Sequence, residues 1–148
     1  MPSTHTSLHY HIVFSTRSRA RLIHDEWRAE LHRYLGGTIK SLEGIPLNVG
    51  GVEDHVHLLV GLKPIHKLAD VLRDLKKSST KWIHERGHAR QFAWQEGYGA
   101  FTVSKSNLDQ VRQYIGDQEE HHKRKTFQEE YRELLERNGI EYDERYLW

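Results

Sequence analysis

The sequence predicts an α+β fold of the ferredoxin-like, split β-α-β kind, with an antiparallel sheet, helices on one face and two further C-terminal helices. Two observations predict it. Apolar residues alternate at 7–15, as in a strand, and then recur every three or four residues from Asp25, as in a helix. The same two periods continue along the chain in the order β-α-β-β-α-β before the final helices begin.

Each element has its own local justification. Four segments show strand alternation or a short apolar run between turn residues, at 7–15, 45–52, 55–62 and 97–104. Two segments carry an amphipathic helical stripe, at 25–44 and about 66–86. Helices on one face would leave the other face of the sheet free for a site or a partner.

Two capping boxes predict the C-terminal helices. Ser106 opens the first box, SNLD, and Thr126 opens the second, TFQE. The first of these helices is expected at about 106–122 and the second to end near 138–139. We expect residues 1–148 to form a single domain.

Composition narrows the class of protein. The 148 residues include no cysteine, which excludes disulfides and zinc fingers. No apolar run reaches membrane-spanning length and no signal peptide opens the chain, so a cytoplasmic protein without a membrane partner is expected. The formal net charge of +1 means that any contact with nucleic acid must come from local basic clusters.

A His-Val-His motif is the first chemical candidate. His55 and His57 are two apart on a predicted strand, so both side chains project to one face, where imidazoles could hold a transition metal. With 12 histidines in the chain, roughly one His-x-His is expected by chance, and there are two, the other being 9–11. The apolar strand favours the second copy, because unpaired polar rings would be costly there. Glu53 or Asp54 could orient the rings.

A tyrosine helix is the second candidate. Of the seven tyrosines, only Tyr114 has a glutamine four residues later, Gln118, which lies on the same helical face. A glutamine oxygen could complete a metal site begun by two histidines. A tyrosine hydroxyl beside it could attack a phosphodiester and keep the phosphoryl group. The alternative is that Tyr114 packs and Gln118 is an ordinary surface residue.

With these motifs, six segments give the chain a family resemblance: HYHIVFSTRSR, VEDHVHLLV, LADVLRDLKKSSTKW, FAWQEGYGAFTVS, VRQYIGDQEEHHKRKTFQEEY and ERYLW. The chain resembles the single-tyrosine HUH transposases of small insertion sequences that move as single-stranded DNA. The resemblance implies Tyr114 as nucleophile, through a 5′-phosphotyrosine, and His55, His57 and Gln118 as ligands of Mg²⁺ or Mn²⁺. It also implies a homodimer, in which the tyrosine helix can complete the partner's site, and hairpin-bearing DNA as substrate.

The ligand set that the resemblance implies carries no negative charge. A neutral His-His-Gln set would hold magnesium only weakly, because magnesium prefers charged oxygen ligands. Manganese tolerates imidazole better. We therefore expect a DNA phosphate to help to bind the metal.

Several basic clusters are candidate DNA contacts, since lysines, arginines and small hydroxyls suit phosphates. Each could equally be a solvated face. Unpaired bases could stack on aromatic rings, for which Trp94 and Tyr98 are candidates by neighbourhood. The basic candidates are Arg17, Arg19, Arg21, Arg73, Lys76, Lys77, Lys81, Lys105, Lys123 and Arg124.

Three other functions stay open. The chain could be a domesticated relative that acts on chromosomal hairpin repeats. It could be a hairpin-DNA-binding module without catalysis, for which the intact Tyr114 and Gln118 would be superfluous. It could also be a ferredoxin-like metal sensor that uses the histidines alone.

Overall fold

The computed structural model describes residues 3–148 and contains one four-stranded antiparallel sheet. Its strands lie in the order β2-β3-β1-β4, which is the predicted ferredoxin-like arrangement and confirms the fold class. In chain order they are β1 (His9–Ser15), β2 (Ile45–Gly51), β3 (His55–Gly61) and β4 (Gly99–Thr102).

Five α-helices accompany the sheet in the described part of the chain. They are α1 (Asp25–Ser41), α2 (Leu68–Glu85), α3 (Leu108–Gly116), α4 (Gln118–His121) and α5 (Phe127–Arg137). Single 3-10 turns occur at Arg17–Arg19, Lys105–Asn107 and Glu144–Tyr146. Between residues 3 and 148, no helix has both the length and the apolar character needed to cross a membrane.

The C-terminal helices differ in detail from the prediction. The helix expected at about 106–122 is divided at Asp117 into α3 and α4. Ser106 caps no helix, because a 3-10 turn precedes α3 and no side chain caps its first turn. The Thr126 box does form, since the Thr126 hydroxyl accepts a hydrogen bond from the Glu129 amide at 3.2 Å.

One face of the sheet is an apolar core. Alternate residues of β1 and β3, among them Ile12, Phe14 and Leu58, are fully buried against α1 and α2. Those helices present the amphipathic stripes that the sequence predicts, including Leu31 and Leu75.

The opposite face is also covered, so the expectation of a free sheet face is wrong. Leu59 of β3 packs with Leu108 and Ile115 of α3, and Val13 of β1 packs with residues of α5. A Cβ atom on Gly50 of β2 would lie 2.4 Å from the Ile115 carbonyl oxygen. Glycine at this position therefore lets α3 approach the sheet closely.

Candidate functional site

The two histidines of β3 lie between the sheet and the C-terminal helices. His55 and His57 project to the same face, as predicted, and both are fully buried. Their ring centroids are 5.1 Å apart. The alternation of the strand thus places two imidazoles in the one layer of the molecule where α3, α4 and α5 meet the sheet.

Each ring is oriented by a neighbour through Nδ1. His55 Nδ1 lies 2.7 Å from the carboxylate of Asp54, one of the two acceptors that the sequence suggested. His57 Nδ1 lies 2.8 Å from Nε2 of His11, which is on β1. The second His-x-His motif, at 9–11, therefore contributes one of its histidines to the same cluster. Both Nε2 atoms are directed toward the helices.

Tyr114 and Gln118 lie on either side of the break between α3 and α4. Gln118 is 1% exposed, and its Oε1 accepts a hydrogen bond from His55 Nε2 at 3.1 Å. The Tyr114 ring is half-buried, with its centroid 5.8 Å from that of His57. All four predicted side chains therefore come together within one chain, and Gln118 is a buried site residue rather than a surface residue.

Two residues that were not predicted as metal ligands complete the cluster. Glu130 of α5 is buried, and its Oε1 lies 3.1 Å from Nε2 of His57 and 3.1 Å from Nε2 of His122. The other oxygen, Oε2, accepts hydrogen bonds from the Tyr114 hydroxyl and, at 3.1 Å, from Gln118 Nε2. Glu130 therefore joins the histidines to the tyrosine.

A sequence signal existed for both residues. His122 follows Gln118 by four residues, the same spacing that links Tyr114 to Gln118. Glu130 occupies a position in the apolar stripe of α5, beside the buried Phe127 and Tyr131. An acidic residue in such a stripe needs polar partners inside the protein.

The charges within the cluster are strongly coupled. Burial lowers the pKa of His55, but hydrogen bonds to Asp54 and Glu130 outweigh this effect and raise the pKa to about 9. Burial lowers the pKa of His57, and Glu130 offsets this only in part. His55 thus carries a positive charge at neutral pH while His57 is neutral.

The tyrosine and the glutamate also depart from their ordinary pKa values. Burial raises the pKa of Glu130, but the hydrogen bonds from His122, His55 and His57 dominate and hold it well below its usual range. Burial and the neighbouring Glu130 charge raise the pKa of Tyr114. Tyr114 therefore keeps its proton at neutral pH and donates it to a charged carboxylate.

The donor set fits a divalent cation. One ligand atom each of His55, His122 and Glu130 lies within 4.8 Å of the others. His57 Nε2 and Gln118 Oε1 adjoin this group, so imidazole, carboxylate and amide donors are all available. Imidazole and oxygen donors together suit first-row divalent metals.

Basic residues from two distant segments of the chain meet beside this site. Arg19 and Arg21 from the N-terminal loop line a groove of about 450 Å³ with Lys123 and Arg124. His122 lies in the same groove and also in the smaller pocket that contains Tyr114. Four of the predicted DNA contacts therefore line a groove that shares His122 with the pocket of the tyrosine.

The remaining basic candidates lie elsewhere. The Lys76 ammonium donates to the carbonyls of residues 95, 96 and 97 at 2.8, 3.1 and 2.7 Å, which ties a loop to α2. Arg73 pairs with Asp70 and Asp74, and Lys81 with Glu85. Arg17, Lys77 and Lys105 are exposed.

The two aromatic residues suggested for base stacking differ in exposure. Trp94 is buried and donates to Ser79 Oγ at 2.8 Å, so the suggestion that it stacks on a base is wrong. Tyr98 is 36% exposed and keeps an accessible ring.

Comparison with known proteins places the chain in a family. The family model "Transposase IS200 like" matches residues 4–118. A crystal structure at 1.90 Å of a candidate transposase from Deinococcus radiodurans R1 is 27% identical, with a TM-score of 0.65 over 80% of this chain and 95% of that one. A REP-associated tyrosine transposase bound to a REP hairpin shares the fold at 13% identity, with a TM-score of 0.60 over 82% of this chain and 74% of that one. A search of curated proteins finds no match. Because the family model spans well over half of the chain, this protein belongs to the IS200-like transposase family.

Proposed function

We propose that this chain is a metal-dependent transposase that cleaves and rejoins single-stranded DNA at hairpin-marked ends, with Tyr114 as the nucleophile. The observation that carries the proposal is the meeting of the half-buried Tyr114 with the buried His55, His57 and Gln118 in one cluster. These residues come from β3 and from both sides of the α3–α4 break, so separate sequence motifs converge on one place.

The proposed reaction is a phosphoryl transfer to tyrosine. The Tyr114 hydroxyl oxygen attacks a phosphodiester phosphorus, a tyrosyl–phosphorus bond forms, and the bond from phosphorus to the 3′ oxygen breaks. The tyrosine loses its proton and the departing oxygen gains one, which leaves a free 3′-hydroxyl and a 5′-phosphotyrosine. Attack by another 3′-hydroxyl reverses the step and joins new strands.

Each residue of the site has its own proposed role. Asp54 and His11 fix the orientation of His55 and His57, and Gln118 contributes an amide oxygen one helical turn from Tyr114. Mg²⁺ or Mn²⁺ held by these donors would neutralise the non-bridging oxygens of the phosphate. The imidazole-rich set favours Mn²⁺.

The groove beside the site is the proposed path of the DNA backbone. Arg19, Arg21, Lys123 and Arg124 bring four positive charges to a surface that leads to His122. The structural neighbour bound to a REP hairpin supports a hairpin as the ligand. Tyr98 is a candidate for stacking on an unpaired base.

Tyr114 contacts Glu130 and lies against His57 of its own chain, which supports attack in cis. A homodimer is part of the proposal on the family resemblance, and light scattering of the purified protein tests it. The same chemistry would serve a mobile element or a domesticated relative. Hairpins that flank the gene and hairpins scattered in the chromosome, offered as competing substrates, distinguish these two roles.

The experiment that tests the proposal detects the covalent intermediate. Labelled single-stranded DNA with the hairpin that flanks the gene is incubated with protein and Mn²⁺ and run on a denaturing gel. We expect a protein-linked band that disappears with chelator and in Tyr114→Phe. The matched control is Tyr142→Phe, because Tyr142 also donates its hydroxyl to a glutamate, Glu136, but lies outside the site. Tight hairpin binding with no adduct would instead indicate a binding module without catalysis.

A further inference from the structure

Glu130 lies outside the segment that matches the family model, which ends at Gln118. The residue is 2% exposed. Among residues 3–148, no lysine or arginine forms an ion pair with it. Its partners are instead imidazole nitrogens, an amide and the Tyr114 hydroxyl. Its negative charge is balanced within the protein by the positively charged His55, whose Nε2 lies 3.3 Å from Oε1, and a cation held among the same donors would replace that positive charge.

The charge of Glu130 changes what the site can bind. His55, His57 and Gln118 are neutral donors once His55 releases its extra proton, so on their own they depend on a DNA phosphate for negative charge. Glu130 supplies one negative charge from within the protein. With Glu130 among the ligands, part of the negative charge that a DNA phosphate is expected to contribute would come from the protein itself.

The spacing of the donors is compatible with a shared cation. Oε1 of Glu130 lies 3.3 Å from Nε2 of His55 and 3.1 Å from Nε2 of both His57 and His122. Ligand atoms at right angles around a small divalent cation, each at about 2.1 Å, are about 3 Å apart. His122 is on the groove side of this group, where a cation could enter from solvent.

We propose that Glu130, assisted by His122, is an anionic ligand of this site and that it allows the protein to hold a divalent cation before DNA binds. The inference rests on the proposed function only in that the same site takes the cation. It assigns a metal-binding role to α5, an element that contributes nothing to the matched family segment.

The test is a titration of the DNA-free protein with Mn²⁺, in which electron paramagnetic resonance measures the unbound ion. We expect the wild-type protein to bind one Mn²⁺ and Glu130→Gln to bind it about 10–100-fold more weakly. Glu129→Gln is the matched control, because Glu129 is the exposed neighbour on α5 and glutamine preserves the capping box. Its affinity should equal that of the wild type.

Three results would overturn the inference: no Mn²⁺ binding by the wild type until hairpin DNA is added, equal affinity in Glu130→Gln, or tighter binding in that variant. The last would mean that the carboxylate competes with the cation.

If Glu130→Gln does not fold, as circular dichroism would reveal, the wild-type titration and His122→Asn decide. We expect His122→Asn to lose less Mn²⁺ affinity than Glu130→Gln would. Unchanged Mn²⁺ affinity in His122→Asn would refute the role, and so would the absence of Mn²⁺ binding by the wild type. Tyr114→Phe should retain Mn²⁺ binding while losing the DNA adduct, so failure of the strand-transfer proposal and failure of this inference give different results.

Discussion

The two faces of the sheet are built from the same strands and both are buried, yet only one of them carries a polar cluster. On the face toward α1 and α2, β3 contributes Val56, Leu58 and Val60 to an apolar core. On the other face the same strand contributes His55 and His57, which are equally buried but fully engaged in polar contacts. Burial alone therefore does not separate structural from functional residues in this protein.

In β3, residues that stabilise the fold alternate with the two histidines proposed to take part in the chemistry. Apolar side chains on the first face are stabilised by removal from water. The polar side chains on the second face are stabilised by one another and by three helices that arrive from the C-terminal part of the chain. A substitution on one face should therefore affect a different property from a substitution on the other.

Neighbouring substitutions in β3 should separate these properties most strongly. His57→Asn should reduce the rate of adduct formation by about 100-fold or more, because it removes a proposed ligand. Leu58→Ala should leave adduct formation by the folded protein within a few-fold but lower the free energy of unfolding by about 2–5 kcal/mol. Gel assays and urea unfolding measure the two effects. Loss of chemistry in Leu58→Ala at temperatures where it is fully folded would contradict the division between faces.

Gly50 tests how closely the tyrosine helix must dock. Alanine would place a methyl group against the Ile115 carbonyl oxygen, where backbone must move, so we expect a loss of about 1–3 kcal/mol in unfolding free energy and slower adduct formation. The matched control is Gly37→Ala in α1, where the added methyl group would meet no atom within 4 Å apart from those of its own stretch of helix. That change should raise stability by about 0.5–1 kcal/mol, through helix propensity. Adduct formation that is normal in Gly50→Ala would mean that α3 need not dock closely.

The smallest expected effect concerns acid stability on the α1 side of the molecule. Burial, and then the charge of Arg28, lower the pKa of His32 to about 4 from the ordinary 6.5. Between pH 6.5 and 4 the unfolded chain therefore binds more protons at His32 than the folded chain does. The contribution of neutral His32 to the free energy of unfolding is complete above pH 6.5 and is lost as the pH falls toward 4. We expect His32→Leu to remove about 1 kcal/mol of acid destabilisation at pH 5.5. Thermal melts from pH 7 to 5 check this, and parallel curves for the two proteins would show that His32 does not contribute.

The sequence was sufficient for the features that depend on short-range spacing. The two-residue period identified the strands and paired His55 with His57, and the four-residue spacing paired Tyr114 with Gln118. The division of the helix at Asp117 was not predicted, although Gly116 weakens a helix at that point. The expected free sheet face was wrong because nothing local indicates that α3 and α5 fold back over it.

The contacts that complete the site are long-range. His11 and His57 are 46 residues apart, and His57 and Glu130 are 73 apart. No periodicity connects such positions, since they meet only through strand pairing and the packing of α5. Their chemical type could be read from the sequence, but their common location required the fold.

The hydrogen bond between His11 and His57 also couples the tautomers of the two rings. Burial lowers the pKa of His11 to about 3, so it stays neutral and carries a single ring proton, as His57 does. While His57 Nε2 donates to Glu130, its Nδ1 must accept from His11 Nε2. For His57 to offer Nε2 as a ligand, its proton must reside on Nδ1, and His11 must then accept through Nε2 and carry its own proton on Nδ1. The two rings therefore exchange tautomers together, and a residue of the neighbouring strand sets whether His57 is a donor or a ligand.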